Sequence, residues 1–227
     1  SQIEGVYVPS LYQVAYHDDG TIESVTPIEG APATVRKRVI LDLDKVYYPE
    51  SFVVPFLDIV HDRAVAEVFR GCIRGCRFCQ AGFIYRPVIE KSVETVSRQC
   101  RALCASTGYD EVSLSSLSTS DYSKINELLD ELLSWAKDDM VSVSLPSLRV
   151  DGFSTELTDK IKTVRKSGLT FAPEAGTQRL RDVINKNVRE EELMKTMDVA
   201  FGAGWNRVKL YFMIGLPTET DDDVVGI

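Results

Sequence analysis

The sequence lacks any run of about 20 apolar residues, so no segment is expected to span a bilayer as a helix. Its first residues, Ser1 to Tyr12, also lack the basic stretch followed by an apolar one that marks a secretory signal. The sequence has fewer basic than acidic residues, with 26 Lys and Arg and 34 Asp and Glu, which gives a net charge of −8. Binding to nucleic acid through its phosphates is therefore not indicated by the charge.

Histidine is nearly absent, with two residues, and the five cysteines are an odd number. Three of these cysteines, Cys72, Cys76 and Cys79, are crowded into one short segment. In a chain without a secretory signal, this crowding favours metal binding over a disulfide framework. A reducing cytoplasm is the compartment that we expect.

The chain begins with Ser1 and stops in what reads as the first turns of a helix, so we expect it to be an excerpt of a longer protein. Residues 1–62 are predicted to form an N-terminal β-hairpin and a linker, with Asp18-Asp19-Gly20 at the turn. Residues 63–227 are predicted to form the second, larger region.

From residue 64 onward, apolar segments of strand length alternate with helical patterns. This alternation predicts an α/β fold with a parallel sheet. A full (β/α) barrel needs about 250 residues, so we expect a partial, TIM-like barrel that is incomplete at its C-terminal end. The predicted strands are 65–69, 111–117, 141–150, 169–173 and 207–214, and the predicted helices are 92–105, 123–136, 154–164, 177–184 and 190–201, with Ser92 as an N-cap.

Unusual polar residues and glycines follow the ends of these strands. They occupy 72–79, 116–121, 149–151, 174 and 215–219. Since the carboxyl ends of parallel strands lie on one rim, and such folds bind ligands at that rim, we expect the site there.

The three crowded cysteines have spacings of four and three, which lets one loop wrap a small iron–sulfur cluster. Gly71 and Gly75 allow tight turns, and nearby arginines offset negative charge. A 4Fe–4S cluster usually takes four thiolates, so three would leave one iron open to a ligand. The alternative is a zinc site, which needs a fourth ligand from Cys100, Cys104, His17 or His61. Cys100 and Cys104 are instead expected to lie on a helix and to face the protein interior as small hydrophobic residues.

The motif Cys-x3-Cys-x-aromatic-Cys, here Cys72, Cys76, Phe78 and Cys79, resembles the signature of the radical S-adenosylmethionine (SAM) superfamily. Segments 68–87, 168–177 and 209–220 are similar to radical SAM proteins that carry an N-terminal cobalamin-binding domain, and also to methylthiotransferases. The resemblance covers about residues 60–227. It implies that any cobalamin-binding domain would precede Ser1.

The resemblance implies a metal site at the three cysteines, where the open iron binds SAM. One electron then splits the sulfonium into methionine and a deoxyadenosyl radical. It also implies a cofactor role for six further residues. These are Phe78 with its backbone at the adenine, Ser116 and Ser118 in place of the family's Gly-Gly-Glu motif at the amino group, Arg149 at the methionine carboxylate, Glu174 at the ribose and Gly215 on the adenine side.

Three of these six residues have structural alternatives. Ser116 and Ser118 could simply close a strand, and Arg149 could form a surface ion pair with Asp151. No catalytic residue beyond the cluster is identified.

The function that we expect is reductive SAM cleavage, starting a radical reaction such as methyl or sulfur-containing group transfer, as an oxidoreductase. The expected cofactors are a 4Fe–4S cluster and SAM, with cobalamin supplied through a domain outside this chain. An electron donor such as flavodoxin or ferredoxin is the expected partner, and the substrate is not readable. The alternatives are a zinc-stabilised binding module and a non-catalytic electron carrier.

Overall fold

The computed structural model describes residues 3–28, 30–57 and 59–227. The chain divides into two compact units, residues 1–41 and residues 42–227. Residues 42–62 therefore group with the alternating strands and helices that follow them. Tyr48, for example, donates a hydrogen bond from its hydroxyl to the carbonyl of Val65, at 2.5 Å.

The first unit contains the hairpin. Strands β1 (Tyr12–Tyr16) and β2 (Ile22–Pro27) pair antiparallel. In the turn, Gly20 has φ +82, and Asp19 Oδ1 accepts a hydrogen bond from the Thr21 amide at 2.9 Å. The predicted hairpin is confirmed.

The second unit alternates strands and helices, as its sequence pattern predicts. They are β3 (Ala64–Glu67), β4 (Phe69–Arg70), α1 (Ala81–Ile84), β5 (Ile89–Glu90), α2 (Val93–Thr107), β6 (Glu111–Ser115), α3 (Ile125–Ala136), β7 (Ser142–Ser144), α4 (Thr155–Ile161), β8 (Leu169–Glu174), α5 (Gln178–Val183), α6 (Glu190–Gly202), β9 (Val208–Phe212) and α7 (Asp221–Val225). The short α1 and β5 were not predicted.

The main strands pair parallel in two separate groups. One sheet has the order β3-β6-β7, and β8 pairs with β9 in another. The short β4 and β5 form an antiparallel pair. The prediction of parallel pairing is confirmed within each group. Within the described residues no ladder joins β7 to β8, so these strands do not form one continuous five-stranded sheet.

The predicted strand 141–150 is wrong beyond its first residues. β7 ends at Ser144, and a short 3-10 helix follows at Val150–Gly152. Pro146 explains the early end, because proline has no N–H to donate to a ladder. Beyond the end of β7, the Ser147 carbonyl accepts a hydrogen bond from the Thr119 amide at 2.9 Å. The loop after β7 is thereby held against the loop after β6.

The core lies between the three-stranded sheet and its helices. Val112 and Leu114 of β6 are buried, as are Leu128, Leu129 and Leu132 of α3. These helical positions lie three and four residues apart, so they form one apolar face.

The helix ends follow their sequence signals. Ser92 accepts a hydrogen bond from the Thr95 amide and caps α2, as predicted, and Gly108 ends that helix with φ +76. None of the helices in the described part of the chain is long and apolar enough to cross a membrane.

Candidate functional site

A cavity of about 300 Å³ opens where the cysteine loop meets the loops after β6 and β7 and the end of β8. Most of the residues singled out from the sequence line it. They are Cys72, Cys76, Cys79, Phe78, Ser118, Arg149 and Glu174. A larger groove of about 910 Å³ lies between α2 and α3, but no cysteine lines it. The smaller cavity, which the three cysteines line, is therefore the candidate functional site.

The cysteine loop is shaped by glycines at two close approaches. Gly71 has φ +96, and a Cβ there would lie 2.5 Å from the carbonyl oxygen of Tyr85. A Cβ at Gly82 would lie 2.5 Å from the carbonyl oxygen of Arg74. Since real Cβ atoms do not approach oxygen so closely, both positions require glycine for this path of the chain.

Hydrogen bonds then fix the loop to the segment after α5. The Asn185 side chain donates to the Gly75 carbonyl at 2.7 Å, and the Arg77 amide donates to the Ile184 carbonyl at 2.8 Å. Within the loop, the Arg74 amide donates to Cys72 Sγ at 3.4 Å. An N–H directed at a sulfur stabilises a thiolate, as in iron–sulfur ligation.

The donor set fits an iron–sulfur cluster better than a single ion. Among residues 3–28, 30–57 and 59–227, no group of three or more His, Cys, Asp or Glu converges closely enough to hold one metal ion. A 4Fe–4S cluster makes a different demand, because each thiolate binds a separate iron. Cys72, Cys76 and Cys79 all line the one cavity, which makes them the candidate ligands for such a cluster.

The other two cysteines lie away from the cavity, on α2. Cys100 is fully buried, and burial raises the pKa of its thiol to about 12; burial likewise raises the pKa of Cys104 to about 11. Thiols with such raised pKa values stay protonated, and the protonated form is a poor metal ligand. The expectation that both face the interior is confirmed.

Arg149 lies at the cavity, but its guanidinium is already paired. Its Nε contacts Asp151 Oδ1 at 2.8 Å, and its Nη2 contacts Asp151 Oδ2 at 3.2 Å. Nη2 also donates to the Lys186 carbonyl at 3.2 Å. The pairing with Asp151 that the sequence left open is therefore present, and it is largely buried, since the Arg149 side chain is 9% exposed.

Glu174 is aimed into the cavity by an unusual backbone. It has φ +72, the left-handed region that non-glycine residues rarely adopt, and the β8–β9 register shifts there. The Met213 amide donates to its carbonyl at 2.8 Å. Such strain persists where the surroundings hold it, commonly at functional sites.

Lys186 is a cavity residue that sequence reasoning missed. Its Nζ lies 2.9 Å from Glu174 Oε1 and 6.0 Å from the centre of the Phe78 ring. It therefore joins the cysteine loop to the end of β8. Its position after a short helix, within Asn185-Lys186-Asn187, gave no periodic or motif signal.

The two serines after β6 differ. Ser116 shares a hydrogen bond of 2.8 Å with the Thr119 hydroxyl and does not line the cavity. Ser118 is buried and lines the cavity, and its Oγ has no hydrogen-bond partner among the described residues. It is still close enough to Asp121 to help lower the pKa of that carboxyl. A buried hydroxyl with spare capacity is suited to a polar ligand group.

Gly215 lies apart from the cavity lining. It is exposed, has φ +90, and its amide donates to Glu219 Oε2 at 2.5 Å. Apart from atoms of Gly215 and its two chain neighbours, no atom of the described residues lies within 4 Å of the place where its Cβ would be. The space beside it is open, and its assignment to the adenine side stays a prediction.

The chain is similar in sequence to a protein family and to two archaeal proteins. Residues 66–227 match the sequence profile described as the Radical SAM superfamily. Uncharacterized protein MJ0966 of Methanocaldococcus jannaschii is 39% identical over 159 residues, which are 70% of this chain and 34% of that protein. Putative methylthiotransferase MJ0865 of the same organism is 26% identical over 166 residues, 69% of this chain and 36% of that protein. The chain thus spans about a third of the length of these relatives.

A solved structure shares the fold. It is the radical SAM methyltransferase TsrM of Kitasatospora setae with cobalamin and a [4Fe-4S] cluster bound, with a TM-score of 0.60 at 13% identity. The match covers 71% of this chain and 33% of that one. At this identity the likeness shows a common fold.

Proposed function

The chain belongs to the radical SAM superfamily, and we propose that Cys72, Cys76 and Cys79 hold a 4Fe–4S cluster at which SAM is cleaved reductively. Membership implies both cofactors. When bound by three thiolates, the cluster keeps one iron open and supplies the electron that splits the sulfonium into methionine and a deoxyadenosyl radical. The single observation that carries the proposal is that all three cysteines line one cavity together with four predicted SAM contacts.

This chain's own residues then bind and orient SAM. Ser118 offers its spare hydroxyl to the methionine amino group, and Arg149 faces the carboxylate while Asp151 fixes its orientation. Glu174 accepts the ribose hydroxyls, with Lys186 holding its carboxylate in place. The backbone of Phe78 lies against the adenine, and Gly215 leaves room on its far side. Ser116 acts less directly, since its hydroxyl is used by Thr119.

The finer architecture belongs to the same proposal. We infer that the two parallel sheets are parts of one partial (β/α) barrel, because the loops after β6 and β7 of one sheet and strand β8 of the other line the same cavity. Residues 1–62 would serve as hairpin and linker, and residues 63–227 as the radical SAM core.

The reaction started by the radical is proposed only as a class. TsrM is a methyltransferase that binds cobalamin, and one relative carries a methylthiotransferase name, so transfer of a methyl or sulfur-containing group is the class we favour. Cobalamin would come through a domain outside this chain. Reduction of the cluster requires a one-electron donor such as flavodoxin or ferredoxin, in the cytoplasm.

The test is reconstitution of the 227-residue protein with iron and sulfide under anaerobic conditions. The proposal predicts a brown protein with about four irons and four sulfides, which forms 5′-deoxyadenosine from SAM when dithionite is added. A brown protein that neither binds nor cleaves SAM would favour the electron carrier. A colourless protein with one zinc would favour the binding module.

A further inference from the structure

Arg74 lies inside the cysteine motif, yet its side chain contacts groups on two other loops. We propose that Arg74 is a positioning residue, whose guanidinium fixes the cysteine loop against the loops that carry Ser118 and Arg149 and thereby sets the affinity for SAM without touching SAM. The inference rests on the proposed function.

The contacts of Arg74 are specific in geometry. Its Nε lies 2.8 Å from Asp121 Oδ2 and its Nη2 contacts the other oxygen of the same carboxylate. Its Nη1 lies 3.1 Å from Asp151 Oδ2. One planar guanidinium therefore bridges two carboxylates, one from the segment after β6 and one from the segment after β7. Side-chain exposures of 29%, 9% and 18% for Arg74, Asp121 and Asp151 show that water competes weakly for these bonds.

These contacts connect the cysteine loop to the proposed SAM contacts over short stretches of chain. Asp121 follows Ser118 by three residues in one 3-10 turn, and the Asp121 amide donates to the Ser118 carbonyl at 2.8 Å. Asp151 holds both Arg74 and Arg149. A shift of Arg74 would therefore move the cysteine loop relative to both walls of the cavity.

The charge balance argues that Arg74 acts through its neighbours. Two arginines and two aspartates form the group Arg74, Asp121, Asp151 and Arg149, so their charges cancel. Three nitrogens of Arg74 are already engaged with carboxylates.

Lysine cannot reproduce this bridge. A lysine ammonium keeps the charge but lacks the planar fork that binds two carboxylates at once. Arg74→Lys is therefore the informative variant, and Arg70→Lys is its matched control. Arg70 also binds a carboxylate with two nitrogens, contacting Glu67 at 2.7 and 3.0 Å, and lies two residues before Cys72, but it does not line the cavity.

The experiment uses the reconstituted 227-residue protein and SAM as the probe. Iron is counted first, and SAM is then titrated while the electron paramagnetic resonance (EPR) spectrum of the dithionite-reduced cluster is recorded. We expect Arg74→Lys to keep wild-type iron and an unchanged spectrum without SAM, but to need about tenfold more SAM for the spectral change, a loss of about 1.4 kcal/mol. Arg70→Lys should match the wild type.

Asp121→Asn separates positioning from direct contact. If Arg74 acts through its carboxylates, this variant also weakens SAM binding. Unchanged or tighter binding in Asp121→Asn, beside weaker binding in Arg74→Lys, would mean that Arg74 contacts SAM itself and would overturn the proposal. The proposal would also be overturned if Arg74→Lys lost iron while Arg70→Lys kept it, or if Arg74→Lys and Arg70→Lys bound SAM with equal affinity. If the wild type itself lacks iron or SAM binding, the proposed function fails instead.

Discussion

Glu174→Gln tests the proposed ribose contact with the smallest possible change in shape. The substitution keeps the size of the side chain but removes its charge. In the structure the carboxylate is held 2.9 Å from Lys186 Nζ, and the two side chains are 15% and 11% exposed. Because glutamine has nearly the same shape, the left-handed backbone at this position should be retained.

Two effects follow, and their magnitudes can be separated. Hydrogen bonds to a charged group are worth about 1.5–3 kcal/mol, so losing the charged ribose contact should lower SAM affinity by up to about 10- to 150-fold. Removing the partner of Lys186 should also destabilise the fold, by about 1–3 kcal/mol for a pair that is mostly but not fully buried. For a chain of this length that is a fall of about 2–12 °C in the unfolding midpoint.

The assay is SAM titration of the iron-loaded protein, with thermal unfolding of the same samples. Glu111→Gln is the matched control, because Glu111 pairs with Arg63 at 2.8 Å, is partly buried and lies at the start of β6, at the opposite end of that strand from the cavity loops. It should lower the unfolding midpoint while SAM binding stays normal. Wild-type SAM affinity in iron-loaded Glu174→Gln would refute the ribose assignment.

Three further predictions address the ligands, the cofactor placement and the charged network. Cys76→Ala should lose the cluster while Cys104→Ala keeps it, as iron counts on both variants will show; the reverse result would overturn the ligand assignment. Gly215→Leu should keep iron but bind SAM about 5- to 150-fold more weakly, by overpacking worth about 1–3 kcal/mol. Gly108→Leu, at another open glycine with positive φ, controls for backbone strain, and equal SAM affinity in both would exclude adenine beside residue 215. The pKa of Asp121 is depressed by its bonds to Arg74 despite burial, so its stabilisation is present above the unfolded value of 3.8 and is lost as pH falls through the folded value. The difference in unfolding free energy between metal-free wild type and Asp121→Asn should therefore be constant from about pH 7 to pH 5 and shrink below about pH 4, and a pH-independent difference would contradict this.

Periodicity and capping signals are enough to place the helices from α2 to α6 and most of the strands, but not the short α1 and β5. Ser92 and Gly108 delimit α2, and the apolar spacing in α3 sets its buried face. The pairing between strands is harder to predict from the sequence, since it depends on contacts between residues that are distant in sequence. The interruption after β7 illustrates this, because Pro146 could have been read as a break but the apolar residues around it suggested a continuing strand.

The cavity residues also fall into those that sequence motifs mark and those whose role depends on contacts in the folded chain. The three cysteines and Glu174 were identifiable because local motifs and strand ends mark them. Lys186 and the bridging role of Arg74 were not, because each acquires its role from partners on other loops, at distances that only the folded chain defines. The pairing of Arg149 with Asp151 is predictable because the two lie close in sequence, but the expectation that this ion pair lies at the surface is wrong, since both side chains are largely buried.

EPR spectroscopy of the dithionite-reduced, reconstituted protein, before and after SAM is added, tests the proposed cluster and its open iron together. A cluster held by Cys72, Cys76 and Cys79 alone has one iron open to SAM, so we expect a reduced 4Fe–4S signal that changes shape when SAM binds. A 4Fe–4S signal that SAM leaves unaltered at saturating concentration, or no iron–sulfur signal at all, would contradict it.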